Sequence, residues 1–361
     1  MLLERCSKQS RAEETNDERK ALLEKAAYNL EIARNYLGDF PQVLWLEGTA
    51  LALLGEEKYD SAIALFQELE VAPFSGKHQS YIDSLRTQAT YNRAVLLARK
   101  GKGDLTKAVS VYDELLQKPN LSDSVRWLAG LGKLTVIADY EQEVWKRFDQ
   151  QTAASWLAQG DALLAGVANA KGNGQQKPSP QDQRTLDFIA FAASRALGKC
   201  SLRFAEAFLS QGMLKNGRPV KRTSQNNQLV GPVAGPELRA RLGRARSYFE
   251  KCGDDADLLA DRAYIELLLG EYQGAEGHAR RAMLWDPDSE RAYYLAAEAC
   301  YCHGGADERE RAKSYASAYY NELQERLAPP ATPKLDMAAF VALCTDLGLY
   351  SPGALAKSTG T

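Results

Sequence analysis

Residues Asp254–His303 read DDADLLADRAYIELLLGEYQGAEGHARRAMLWDPDSERAYYLAAEACYCH. An apolar-rich helical run from Leu258 to Leu269 meets Gly270-Glu271-Tyr272; a second run carries Ala275, Ala279 and Ala282 and is closed by Asp286-Pro287. The same grammar restarts at Glu290 and reaches Gly304. Two helices approach to about 8–10 Å only where small side chains sit at the crossing. Alanines at fixed offsets from a turn glycine therefore predict antiparallel helix pairs.

The same landmarks lie outward from this stretch. Leu44, Gly48, Leu51 and Leu54 lead to Gly55, followed by Ala62, Phe66, Leu69 and Pro73; Thr90, Ala94 and Leu97 lead to Gly101, followed by Ala108, Tyr112, Leu115 and Pro119. Gly48, Ala94, Ala263 and Ala297 each stand seven residues before their turn glycine. In the first two units the second-helix alanine comes two residues late, which predicts a longer turn at Glu56-Glu57-Lys58. The pattern resembles the tetratricopeptide repeat (TPR) family, whose unit is a pair of antiparallel helices. The resemblance implies an all-α, TPR-like helical-repeat solenoid of antiparallel helix pairs wound as a right-handed superhelix, with ligands lying against the first helices.

On this reading residues 1–17 are a polar, disordered N-terminus, and residues 18–168 hold N-terminal repeats, clearest at 41–120. Residues 169–181 are a flexible insertion, 182–214 a helix pair (184–198 and 202–211), and 215–236 a basic flexible loop. C-terminal repeats fill 237–326, a capping helix 335–349, and a disordered tail 350–361. Ser124–Phe148 is expected to be helical by periodicity. Glu18–Leu37 reads as a lone second helix, with Leu22, Ala26, Leu30, Ala33 and Leu37 on one stripe.

Composition narrows the class. The 361 residues are 45% hydrophobic and 25% charged, within the range of folded proteins. The net charge of −2 gives no global attraction to nucleic acid or acidic lipid. Met1-Leu2-Leu3-Glu4-Arg5-Cys6 lacks the apolar core of a signal peptide, and no apolar run of about 18 residues stands out as a spanning helix. The six cysteines, Cys6, Cys200, Cys252, Cys300, Cys302 and Cys344, are irregularly spaced; free thiols and a cytoplasmic location are expected.

Candidate sites follow from the repeat register. With each turn glycine as position 15, the inner positions are Trp45, Tyr91, Ala260 and Tyr294 (position 5), Leu46, Asn92, Asp261 and Leu295 (position 6), and Thr49, Val95, Tyr264 and Glu298 (position 9). The expected ligand groove is thus Trp45, Thr49, Tyr91, Asn92, Asp261, Tyr264, Tyr294 and Glu298. The resemblance assigns Asn92 the holding of a bound peptide backbone; the competing reading is that the aromatics fill gaps between repeats. Trp45 and Thr49 depart from the family's carboxylate-gripping subclass, so chaperone-tail binding is not expected.

A basic block runs from Lys215 to Arg246: Lys215, Arg218, Lys221, Arg222, Arg239, Arg241, Arg244 and Arg246 against Glu237 alone, a net of +7 that leaves −9 for the remainder. It reads as a phosphate or acidic-partner surface, or as a solvated face that answers acidic neighbours. Cys300-Tyr301-Cys302-His303 has thiolates and an imidazole but not the spacing of a zinc site, so core packing is expected. With three histidines and no phosphate loop, dinucleotide motif, nucleophile elbow or His-Glu-x-x-His, no catalytic role, metal or cofactor is expected. Asn120-Leu121-Ser122 matches a glycosylation sequon and reads as a polar turn. The expected function is a non-enzymatic scaffold or adaptor that binds a protein or peptide segment in the concave groove. Alternatives are a regulatory or sensor module of a larger enzyme or signalling protein, and a nucleic-acid or acidic-partner binder through residues 215–246; no membrane insertion is expected.

Overall fold

The computed structural model describes residues 16–38, 40–74, 78–101, 103–172, 179–210, 214–215, 218–219, 222–223, 229–230, 234–326 and 337–349. Expectations for residues 1–15, for the middle of the 169–181 insertion and for the tail beyond residue 349 lie outside these.

The chain divides into two compact units, residues 1–140 with 165–189, and residues 141–164 with 190–361. The architecture is an all-α helical repeat of the solenoid class, and its consecutive helix pairs fit a TPR-like unit.

The first unit contains α1 (Asn16–Leu37), α2 (Pro41–Leu54), α3 (Tyr59–Val71), α4 (Gln79–Lys100), α5 (Leu105–Leu116) and α6 (Asp123–Ala138). Each helix packs on the next, and α2 also meets α4 as α4 meets α6, the neighbour-only contacts of a repeat array. The longer turn expected after Gly55 is a 3-10 turn, Glu56–Lys58. Gly55 holds φ +125° and Gly101 φ +97°, conformations open to glycine and costly for other residues. Gly48 is buried at a close approach of the two helices, where a Cβ would lie 2.8 Å from the Phe66 ring of α3. Ala94, at the matching position of α4, is fully buried. Ser122 of the sequon caps α6, accepting a hydrogen bond from the Val125 amide at 3.4 Å.

Two long helices, α8 (Gln150–Gly172) and α9 (Pro180–Phe204), contribute to both units; a short α7 (Gln142–Trp145) precedes them. The helix expected over 124–148 therefore ends at Ala138. The expected pair 184–198 and 202–211 is one helix, and it runs on into a π-turn, Ala205–Leu209. Gly198 is not a stop there: a Cβ on it would collide with the Phe249 ring, so the glycine marks a helix crossing.

The second unit continues with four two-residue strands, β1 (Leu214–Lys215), β2 (Arg218–Pro219), β3 (Arg222–Thr223) and β4 (Leu229–Val230). They form two antiparallel ladders, β1–β2 and β3–β4, within the segment expected as a flexible loop. Then come α10 (Pro236–Phe249), α11 (Ala256–Leu269), α12 (Tyr272–Trp285), α13 (Glu290–His303), α14 (Ala306–Arg326) and α15 (Met337–Leu347). Asp255 caps α11 through the Leu258 amide at 2.8 Å, and Gly270 closes it at φ +81°. Ala263 and Ala297 are fully buried at the crossings, with Ala275, Ala279 and Ala282 as their counterparts on α12. Phe340, Leu343 and Leu347 of α15 close the end of this core against Ala312, Ala316 and Tyr319 of α14.

Candidate functional site

The first helices of the N-terminal pairs leave one side open. At about 100° per residue, Gln42, Trp45, Thr49 and Leu53 share a side of α2, and Gln88, Tyr91, Asn92, Val95 and Arg99 share the corresponding side of α4. Gln42, Leu53, Gln88 and Arg99 are exposed and the others half-buried. Thr49 Oγ1 donates to the Trp45 carbonyl at 2.7 Å. The Tyr91 ring meets Tyr112 edge-on at 6.2 Å, and burial, opposed by Arg99, raises its hydroxyl pKa. The Asn92 amide has no hydrogen-bond partner among the described residues. The Trp45 indole Nε1 is shielded from solvent and likewise has no acceptor among them.

The equivalent positions of the second unit are closed. Tyr294 is 7% exposed, Asp261 5% and Glu298 0%, so these three do not line an open groove as the repeat register predicted. The physical reason is that the chain fills this side itself. Glu206 of the π-turn accepts a hydrogen bond from the Tyr264 hydroxyl, whose pKa is held far above the usual range by burial and by that carboxylate. Leu209 packs into the same cluster as Tyr264, and β4 lies alongside α13. Arg291 pairs with Asp261 at 2.6 Å and lies over the Tyr264 ring at 5.8 Å. Burial works against the Arg291 charge, but Asp261 holds its pKa above the ordinary guanidinium value. Arg203 pairs with Glu206 at 2.9 Å. Sequence register alone gave no signal that these inner positions would be covered.

The four arginines of the basic block on α10 are engaged within the chain. Arg239 Nε donates to the Ala234 carbonyl at 3.0 Å, and Arg241 lies over the Phe204 ring at 4.7 Å with its pKa lowered by burial. Arg244 pairs with Asp161 at 3.6 Å and Arg246 with Glu271 at 2.7 Å. Lys215, Arg218 and Arg222 sit on the short strands, and Lys221 lies outside the described residues. Cys300 and Cys302 are buried in the core of the second unit, where burial and the Glu276 carboxylate push the Cys300 thiol up to about 12.

A feature absent from the sequence reading lies on the opposite side of α2. Glu47, Leu51 and Leu54 point about 180–240° away from Trp45 at 100° per residue, and they form part of a cleft of about 580 Å³. Residues of α1, among them Glu24, Tyr28, Glu31 and Arg34, and of α3, among them Leu65 and Glu68, contribute to its lining together with Lys58. Arg34 Nε lies 3.1 Å from Glu47 Oε2, and its Nη1 lies 3.8 Å from Glu68. Glu24, Tyr28 and Glu31 are legible in sequence as one stripe of α1, but nothing local tells that α3 stands across from them.

Among the described residues no helix is long and apolar enough to cross a membrane. No protein-family model matches the chain, and no curated protein matches it. Among solved structures it is similar to one described as the crystal structure of the yeast Tom70, with a TM-score of 0.34 and 14% sequence identity over 97% of this chain. The chain spans 64% of the length of that structure.

Proposed function

We propose that the chain is a non-enzymatic protein-interaction scaffold and that its N-terminal repeats hold an extended segment of a partner protein along α2 and α4. One observation carries this reading: the inner side of these helices is open, with the Asn92 amide uncommitted among the described residues, whereas the matching positions of α11 and α13 are covered by the chain itself. An amide that both donates and accepts can pair with a ligand backbone, as an added strand does at a sheet edge. Gln42, Gln88 and Arg99 flank it with exposed polar groups, and Trp45, Tyr91 and Val95 offer apolar surface for side chains.

The test is affinity capture from native lysate with the wild-type chain and with Asn92→Ala/Val95→Arg. Both positions are half-exposed, so helical circular dichroism is expected to be unchanged while the captured proteins are lost. Retention of the same proteins by the double variant would refute the assignment. The arginines of α10 are read as structural, because each already has a partner within the chain.

A further inference from the structure

The cleft on the outer side of α2 has its own chemistry. Its lining holds four carboxylates, Glu24, Glu31, Glu47 and Glu68, against Arg34 and Lys58, a local net of −2 in a chain whose whole net charge is −2. Arg34 is shared between Glu47, which is 5% exposed, and Glu68. Glu24 and Glu31 on the wall have no ion pair among the described residues. Tyr28 stands between them, 62% exposed, and Leu51 and Leu54 supply apolar surface beside Glu47.

The spacing sets what fits. Glu24 and Glu31 are seven residues apart on one stripe of α1, about 10 Å along the helix axis. A peptide extended in the polyproline II conformation advances about 3.1 Å per residue with three residues per turn, so two basic residues three apart in sequence lie on one side of it and span about the same distance. Each cation can meet one carboxylate while its aliphatic stem lies on Tyr28, Leu51 and Leu54, and the Tyr28 ring face attracts whichever cation lies over it. The cleft volume is in the range of ligand-binding sites, about 300–1,000 Å³. We propose that this cleft is a second binding site, separate from the inner side of α2 and α4, and that it takes an extended cationic peptide segment with basic residues at i and i+3.

The test uses a fluorescein-labelled, acetylated peptide, Gly-Ala-Arg-Ala-Ala-Arg-Ala-Gly, titrated with the whole chain by fluorescence anisotropy at low salt. Saturable binding is expected, weakened by about tenfold or more in Glu24→Gln/Glu31→Gln and further reduced by added salt. Both glutamates are exposed, so circular dichroism should be unchanged; Asn92→Ala/Val95→Arg should bind the peptide as the wild type does, which keeps the two sites distinguishable. A weaker Tyr28→Ala variant is expected as well. Equal binding by the glutamine double variant, or equal binding of a peptide with glutamates in place of arginines, overturns the proposal. Equal binding of a peptide with adjacent arginines overturns the spacing argument. Sedimentation that shows self-association lost in the glutamine variant, with no peptide binding, overturns it in favour of a second copy of the chain.

Discussion

Replacing Gly48 by alanine puts a methyl group at the crossing of α2 and α3, 2.8 Å from Phe66 Cε1 and 3.2 Å from two further ring carbons. Ordinary carbon contacts begin near 3.5 Å, and Phe66 is fully buried, so its ring has no free space to turn into. Overpacking of this kind costs about 1–3 kcal/mol, while exchanging glycine for alanine inside a helix gains about 1 kcal/mol. The net expectation is a loss of about 1 kcal/mol for Gly48→Ala and about 3 kcal/mol for Gly48→Val, which adds volume and gives back part of the helix gain. Gly243→Ala on α10 is the matched control, since a Cβ there meets nothing within 4 Å, and it should stabilise by about 1 kcal/mol. Peptide-resolved hydrogen exchange reads each change in its own helix. Exchange from α2 and α3 should speed up about fivefold for Gly48→Ala, and exchange from α10 should slow by a similar factor for Gly243→Ala. A slowing at α2 and α3 would refute the close-approach account of this position.

Gly55→Ala, forced to φ +125°, should destabilise the α2–α3 turn by about 1–3 kcal/mol, seen as faster exchange at its flanks. Arg262→Met should cost about 1–3 kcal/mol in urea unfolding of the second unit: the buried guanidinium donates to the Phe249 and Cys252 carbonyls at the end of α10 and pairs with Asp254, and a thioether removes these bonds, although the Phe249 carbonyl keeps the Cys252 amide and Asp254 keeps Arg281. The Cys300 thiol, raised from an ordinary 9.0 to about 12, should resist alkylation in the folded chain and react on unfolding. Because the folded state keeps this proton longer, the group's contribution to stability is fully present below pH 9.0 and is lost as pH rises towards about 12; a midpoint of urea unfolding that rises across this window for wild type relative to Cys300→Ala would contradict the assignment.

The helix pairs and their register are legible in the order of the residues alone. Gly48, Ala94, Ala263 and Ala297 are buried at crossings because the demand for a small side chain is met within one helix and its neighbour. Turn glycines at 55, 101, 270 and 304 carry positive φ for the same local reason. Gly198 misled on the same rule, since a glycine that ends a helix and one that admits a neighbouring ring look alike until Phe249 is in place. Which inner positions stay open depends on packing between segments distant in the chain. Trp45 and Tyr91 occupy the register positions of Ala260 and Tyr294, yet Glu206, Leu209 and β4, remote in sequence, close over the second set, whereas among the described residues Asn92 stays half-buried. The outer cleft is of the same kind: the stripe Glu24, Tyr28, Glu31 is written in the periodicity of α1, but its partners Glu47 and Glu68 come from α2 and α3. Helical periodicity fixes which side chains share a face, because it depends on residues three and four apart; what that face meets is set by segments the periodicity does not contain.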